Sequence, residues 1–432
     1  MNSRLMYGSY NTLKYMVNGG YSKNRFNVFA SFNHDKTDGH RDSSAFNINN
    51  GYLRAGYKVT DNISFNADFS LAGFKATDPG ADFSIAGNTI DITRGMGAFS
   101  VNNNYTKTNG SLRLFYNFGV HDISDGFHSD DNNYGWIFNQ SLNLFKGNTI
   151  TLGFDGKTYG GKARQEQNII GDTTVWEIAG YVFVQQNILE KLTINGGYRL
   201  EHHNVYGNEP VPSAGAAWRP LKTTTIKASI SKGFRSPTIR ELYLFPPANE
   251  DLKPEKVVNT EIGILQQLFK NSLQVELTIF KAEGSNLIKT LVNSGRPLNV
   301  NTGTFSNTGV ELSTKWRISE NLSFSGNYSY ISMKHPVIAT PEIQANSSLL
   351  YRKNKLMATL SMQNIHNLYL QTGATQITEN YTILNTKISY KILPALSMFV
   401  KLENILDRKY YINYGYPMPG ILAFCGINFQ LN

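Results

Sequence analysis

Apolar and polar residues alternate with a period of two along nearly the whole chain. In residues 273–280, Leu273, Val275, Leu277 and Ile279 fall on one face, and Gln274, Glu276 and Thr278 fall on the other. The same pattern sets Ile63, Phe65, Ala67, Phe69 and Leu71 against Ser64, Asn66, Asp68 and Ser70. It returns with Leu192, Ile194, Gly196, Tyr198 and Leu200 against Thr193, Asn195, Arg199 and Glu201. Near the end, Leu396, Met398, Val400 and Leu402 oppose Ser397, Lys401 and Glu403. Each run predicts a strand with one apolar face. A soluble sheet buries that face under a second layer, and no helical periodicity is present to supply one. Lipid is the remaining cover, and a sheet in lipid must close on itself to leave no edge unpaired. The polar face then lines the lumen, because a lysine or arginine at mid-bilayer costs about 2–4 kcal/mol. The fold predicted is all-β, a transmembrane antiparallel β-barrel.

The connections sort into two classes. Short turns are expected at Ser22-Lys23-Asn24, Thr60-Asp61-Asn62, Lys146-Gly147-Asn148, Lys270-Asn271, Ser319-Glu320-Asn321 and Lys353-Asn354. Longer loops are expected at 76–92, 122–133, 163–173, 235–255, 284–304, 369–379 and 406–418. Short periplasmic turns and long external loops are the usual asymmetry of outer-membrane barrels. At roughly 20 residues per strand plus connection, the chain holds about 22 strands. Residues 1–432 are then one barrel, with no length left for a second domain.

Composition agrees with this picture. Charged residues make up 17 %, aromatics 12 %, and the chain has 37 Gly and 24 Tyr. A barrel with polar strands and aromatic interface girdles has that profile. No apolar run reaches the roughly 18 residues that a transmembrane helix needs. Lys and Arg (41) exceed Asp and Glu (32) but are scattered, so no nucleic-acid surface is expected. Cys425 is the sole cysteine and falls on the apolar face of the last strand, which excludes a disulfide framework. No leader with a charged start and an apolar core precedes the first strand at Arg4-Leu5-Met6-Tyr7.

The search for chemistry returns little. There is no Gly-x-Ser-x-Gly elbow, P-loop, His-Glu-x-x-His or dinucleotide fingerprint, so no enzyme and no cofactor are expected. His202 and His203 are adjacent in a strand and face opposite sides. His34, His40, His121 and His128 lie near expected loop ends and are read as surface histidines. Asp130-Asp131-Asn132-Asn133 offers oxygen ligands in a long loop, without EF-hand spacing. Tyr243, Tyr410, Tyr411, Tyr414 and Tyr416 belong to expected external loops, where they either grip ligand or serve the interface girdle.

Two stretches carry a family resemblance. Gly233-Phe234-Arg235-Ser236-Pro237-Thr238-Ile239-Arg240-Glu241-Leu242 leads to Asn249-Glu250-Asp251-Leu252-Lys253-Pro254-Glu255. This resembles the barrel signature "GFR-x-PT-x-x-EL … N-x-x-L-x-PE" of TonB-dependent outer-membrane receptors. Glu403-Asn404-Ile405-Leu406-Asp407-Arg408-Lys409-Tyr410, followed by Gly415-Tyr416-Pro417-Met418-Pro419-Gly420, resembles that family's element before the last strand. Gly426, Phe429 and Leu431 resemble the C-terminal signal read by the barrel-assembly machinery. Without the family, Pro237 breaks the strand and Pro246, Pro247 and Pro254 stiffen the connection that follows. Arg235, Arg240, Glu241, Asp251 and Glu255 are then expected either to pin it by ion pairs or to stay solvated, and both motifs are read as architecture.

The resemblance implies an integral protein of the Gram-negative outer membrane, in contact with lipid and lipopolysaccharide. It implies the translocation barrel of a receptor importing a scarce, bulky nutrient: a ferric siderophore, haem, cobalamin or a glycan, with iron chelates favoured. Members carry a signal peptide, a TonB-contacting segment and a lumen-filling plug ahead of the barrel. Here residue 1 leads straight into the first strand, so contact with TonB is expected only through a plug outside this chain. A plugless passive pore, and an outer-membrane adhesin or structural barrel, stand as alternatives.

Overall fold

The computed structural model describes residues 1–293 and 296–431. Twenty-two strands form one antiparallel sheet in which each pairs with its neighbours in sequence. The last strand, Leu422–Gln430, returns to pair with the first, Asn2–Gly8, from Asn2 opposite Gln430 to Gly8 opposite Phe424. The barrel is therefore closed and has no free edge, as a sheet in lipid requires. Met1 and Leu431 exchange backbone hydrogen bonds of 2.8 Å, which seats both ends on one rim.

That rim carries the tight connections, among them 24–25, 59–62, 143–147, 222–223, 269–272 and 354–355. Asn24, Asn354 and Gly147 adopt positive φ there, which explains why Asn and Gly recur at the turns. On the opposite rim stand the irregular connections 38–45, 236–254, 334–340, 372–376 and 404–421.

Opposed residues in the ladders share a face, so the register assigns the two sides. Phe69 pairs with Leu53 and Gly97 on the outer face, and Asp68 pairs with Arg54 and Ala98 on the inner one. Phe69, Leu71, Ile194, Leu200, Ile279 and Val400 are all exposed on the outside. Tyr21, Tyr57, Trp218, Trp316, Tyr351 and Tyr390 ring the tight-turn rim, and Tyr116, Tyr134, Trp176, Tyr198 and Tyr328 ring the barrel higher up. These are the two aromatic girdles of a membrane barrel.

Four expected loops are largely strand. The stretch 76–92 is the top of the hairpin Ile63–Ala81 and Ser84–Asn104, and 122–133 joins Thr108–Ile123 to Phe127–Leu142. The stretches 163–173 and 284–304 are likewise the tops of Asn148–Gln165 with Asn168–Ile188 and of Leu273–Asn293 with Arg296–Arg317. Residues 294 and 295 of the last lie outside those described, as does Asn432. Above the membrane both faces of a hairpin meet water or other loops. The alternation of polarity is lost there while the ladder hydrogen bonds continue. The acidic run from Asp130 to Asn133 accordingly belongs to a strand.

One seam of the wall opens. The strand Gly207–Leu221 pairs with Thr224–Arg235 only from Ser213 downward, since Pro210 and Pro212 have no N–H to donate. Glu209 bridges the gap, its carboxylate 2.5 Å from Lys232 Nζ and 3.0 Å from Lys256 Nζ.

Candidate functional site

The site is the outer mouth, built by two loops that fold inward and by the tops of the tall hairpins. The first loop, 236–254, starts where Pro237 ends a strand. Thr238 then caps the short helix Ile239–Tyr243: its hydroxyl accepts from Glu241 N, and Glu241 accepts from Thr238 N at 2.8 Å. Arg235 grips the Glu241 carboxylate with both terminal nitrogens, at 2.8 and 3.0 Å, and its Nε donates to Glu255 at 2.6 Å. Burial alone would push the Glu241 carboxyl up, but Arg235 and the Thr238 donors outweigh it and hold the group below its ordinary range.

The far part of this loop is tied to the neighbouring hairpin. Asn301 Nδ2 donates to Lys253 O and its Oδ1 accepts from Lys253 N, while Asn299 N donates to Pro247 O. Pro237, Leu242, Leu252 and Pro254 are buried beneath it. Arg235, Glu241 and Glu255 thus form the clamp. Among the described residues Arg240 and Asp251 make no ion pair.

The second loop, 404–421, is organised by Asn404, which is 3 % exposed. Its Nδ2 donates to Arg408 O and Pro419 O, its Oδ1 accepts from Arg408 N, and its N–H donates to Asn385 Oδ1. Asp407 Oδ1 accepts from Ile421 N, and Gly420 packs so close to that oxygen that a Cβ would lie 2.3 Å from it. Gly415 has φ +78°, and its carbonyl accepts from Asp82 N at the tip of the first tall hairpin. His40 reaches Pro417 O at 2.8 Å, which draws loop 38–45 into the same clasp.

The tyrosines divide by environment. Tyr410 is buried and packs tilted against Tyr381, 4.4 Å between centroids, in a cluster with Ile365, Leu368 and Ile383, so it builds the loop's base and is not open to the mouth. Tyr411 donates to Asp82 at 3.0 Å, which raises its phenol. Tyr414 packs on Phe83, Arg41 lies over Tyr416, and Tyr243 is half-buried on the helix.

Between the helix and the facing wall lies a partly open cavity of about 870 Å³. Arg94, Asp131, Lys157, Tyr159 and Glu177 line its wall, and Thr238, Ile239, Arg240 and Leu244 line the loop side. Arg94 pairs with Asp131 at 3.0 Å and Lys157 with Glu177 at 2.8 Å. Arg240 is exposed and makes no ion pair among the described residues, so it adds a positive charge on the cavity's loop side. Sequence reasoning missed Arg94, Lys157 and Tyr159. They come from strands apart in sequence, and no local spacing joins them to one site.

Elsewhere the histidines are locally engaged. His34 meets Asn49 and stacks on Tyr15, His121 accepts from Arg94, and His128 lies between Asp122 and Asp130. Among the described residues no group of three or more His, Cys, Asp or Glu is arranged to hold a metal.

A closed 22-stranded barrel with a polar lumen and an apolar, aromatic-girdled outer face defines an outer-membrane β-barrel. The family model "TonB dependent receptor-like, beta-barrel" matches residues 4–405, and the chain belongs to this family. It is an integral protein of the outer membrane. The iron-regulated outer membrane virulence protein of Vibrio cholerae is 22 % identical over 323 residues, 65 % of this chain and 48 % of that protein. A probable TonB-dependent siderophore receptor, PirA of Acinetobacter baumannii, is 27 % identical over 203 residues, 40 % of this chain and 25 % of that one. The chain thus spans about half the length of the Vibrio relative, or less for the other. Among solved structures, the copper transporter OprC superposes with a TM-score of 0.86 at 14 % identity, covering 100 % of this chain and 80 % of that one. The siderophore receptor PirA from Pseudomonas aeruginosa gives 0.81 at 17 %, with the same coverage. These likenesses are likenesses of fold.

Proposed function

We propose that the chain is the translocation barrel of a TonB-dependent receptor that imports an anionic ferric chelate of the siderophore class. The observation that carries this reading is the mouth cavity, where Arg240 has no ion pair among the described residues, while Arg94 and Lys157 on the wall are balanced by Asp131 and Glu177. An iron chelate is too large and too scarce for passive diffusion, and its negative charge is complementary to such a site. Several of the similar proteins are named for siderophores, which supports the same class.

In this reading the clamped loops 236–254 and 404–421 hold ligand above the lumen. TonB acts through a plug that fills the barrel, and lipopolysaccharide and the barrel-assembly machinery are further partners. The test is uptake of iron-55 chelates by iron-starved cells of the source bacterium, with the intact gene, without it, and with Arg240→Glu. Expected is uptake that needs the gene, collapses with the proton-motive force and weakens in the variant. Gene-dependent uptake indifferent to the proton-motive force would overturn the energised reading in favour of a passive pore.

A further inference from the structure

Behind the cavity lies a polar network that neither sequence motif explains. His203 is fully buried, and Glu201 and Glu177 are nearly so. His203 Nδ1 accepts from Val205 N at 3.1 Å, so the ring proton sits on Nε2 and is donated to Tyr159 Oη, 3.1 Å away. Tyr159 lines the cavity beside Lys157 and Glu177. On its other side His203 stacks flat on Tyr206, 4.3 Å between centroids with 9° between planes. Tyr206 donates its one proton to Glu201 at 3.1 Å, and Arg199 holds the other oxygen of that carboxylate. Ser236 Oγ, 2.9 Å from Tyr206 Oη, must therefore be the donor in that bond. Ser236 is the first residue of the loop whose next four residues line the cavity opposite Tyr159.

We propose that His203 and Tyr206 are positioning residues of the mouth cavity. They connect the wall residue Tyr159 to Ser236 and so set the distance between the cavity's two sides. Neither lines the cavity, and both act through what they hold. The arrangement is unlike the Arg235–Glu241 clamp, which fixes the loop to its own strand ends. The network fixes it to the opposite wall, through the turn at 204–206. Because it joins Tyr159 to Ser236 behind the cavity, a shift of Tyr159 on ligand contact is passed to Ser236, and movement of the loop is passed back. The inference rests on the geometry of the cavity and holds whatever the ligand is.

The test uses the full gene product, purified in detergent, with hydrogen–deuterium exchange read segment by segment. Tyr206→Phe keeps the stack on His203 and removes the hydroxyl, and Ser236→Ala removes only the donor. Each is expected to speed exchange in 238–244 by about three- to tenfold, the range for one net hydrogen bond, with strand amides in 192–203 unchanged. The double variant is expected to match Tyr206→Phe, which already breaks the Ser236 bond and also takes the Tyr206 donor from Glu201. His203→Phe, which keeps a ring for the stack but loses both hydrogen bonds, is expected to loosen 238–244 and 157–161 together. Unchanged exchange in Tyr206→Phe and Ser236→Ala would overturn the proposal, as would effects that add in the double variant. Both of those variants leave the buried His203 in place, so the test stands even where His203→Phe fails to fold.

Discussion

Arg235 holds Glu241 through two parallel hydrogen bonds, one from each terminal guanidinium nitrogen, across the break made by Pro237. The same carboxylate caps its own helix at Thr238, so one acid both starts the helix and ties it to the barrel. A planar guanidinium suits this two-pronged contact, and lysine does not reproduce it. The carboxyl is held below its ordinary value of 4.5, with burial opposing and Arg235 and Thr238 prevailing. A depressed folded-state value contributes stability that is present above the unfolded value and lost as pH falls through the folded one. The clamp is therefore expected to be intact from neutrality down to the ordinary carboxylate range and to open only in stronger acid. Protease cleavage of 236–254 in the purified protein, followed against pH, checks this. Glu241→Gln is expected to make the loop cleavable at neutral pH, and cleavage that ignores pH in the native protein would refute the clamp.

Asn404 is predicted to be the residue on which loop 404–421 most depends. It takes part in four hydrogen bonds from a nearly closed site, at φ +50°. Asparagine tolerates that left-handed backbone, and alanine supplies neither the conformation nor the amide. Each lost bond is worth about 1 kcal/mol, so Asn404→Ala is expected to release the loop while the barrel stays closed. The clearest measurement is a surface label on Tyr414→Cys in a Cys425→Ala background. Mobility of the label should rise sharply with Asn404→Ala and hardly at all with Leu406→Ala. Equal mobility in the two variants would assign the loop's order to something else.

The closing seam has no room to spare. At Gly426 a Cβ would lie 2.4 Å from Leu5 O and 2.6 Å from Phe399 Cζ, and the first of these is backbone that cannot step aside. Gly97, on the outer face opposite Phe69, has nothing within 4 Å of where its Cβ would stand, whereas Gly426 faces inward opposite Phe399. Gly426→Val is expected to abolish the heat-modifiable, folded band on gels of outer membranes, and Gly97→Ala to leave it at native intensity. Normal assembly of Gly426→Val would separate this glycine from closure and weaken its reading as part of an assembly signal.

Much of this fold was legible because lipid enforces the period of two without exception. Phe65 and Phe69 cannot face inward while Asp68 faces out, so strand, face and closure all follow from one rule. The rule lapses above the membrane. There the hairpin tops at 76–92 and 284–304 lose the signal and read as loops, although their ladders continue. The clamp was half legible: the sequence leaves Arg235, Arg240, Glu241, Asp251 and Glu255 either pinning the loop or solvated, and of these Arg235, Glu241 and Glu255 pair. The cavity was not legible. Arg94, Tyr159 and Arg240 are brought together by barrel curvature and by an inward-folded loop, and neither leaves a trace in local spacing. Tyr410 shows the converse. Its loop position suggested the mouth, and packing against Tyr381 placed it in the loop's base.

Depth in the membrane gives the sharpest check on the assigned faces. Phe65 stands just above the turn at 59–62, and Phe69 lies further up the same strand on the same outer face. Asn66, between them in sequence, faces the lumen, where Arg54 donates to it at 3.3 Å. A lysine on the lipid face costs about 2–4 kcal/mol at the midplane and little near an interface, because its chain reaches the head groups. Folding into vesicles should therefore fall most for Phe69→Lys, less for Phe65→Lys, and least for Asn66→Lys. The order matters more than any single value, since it separates membrane depth from a general intolerance of charge. If Asn66→Lys proved the worst of the three, the faces would be reversed and the lumen assignment of Asp68 and Arg54 would fall with it.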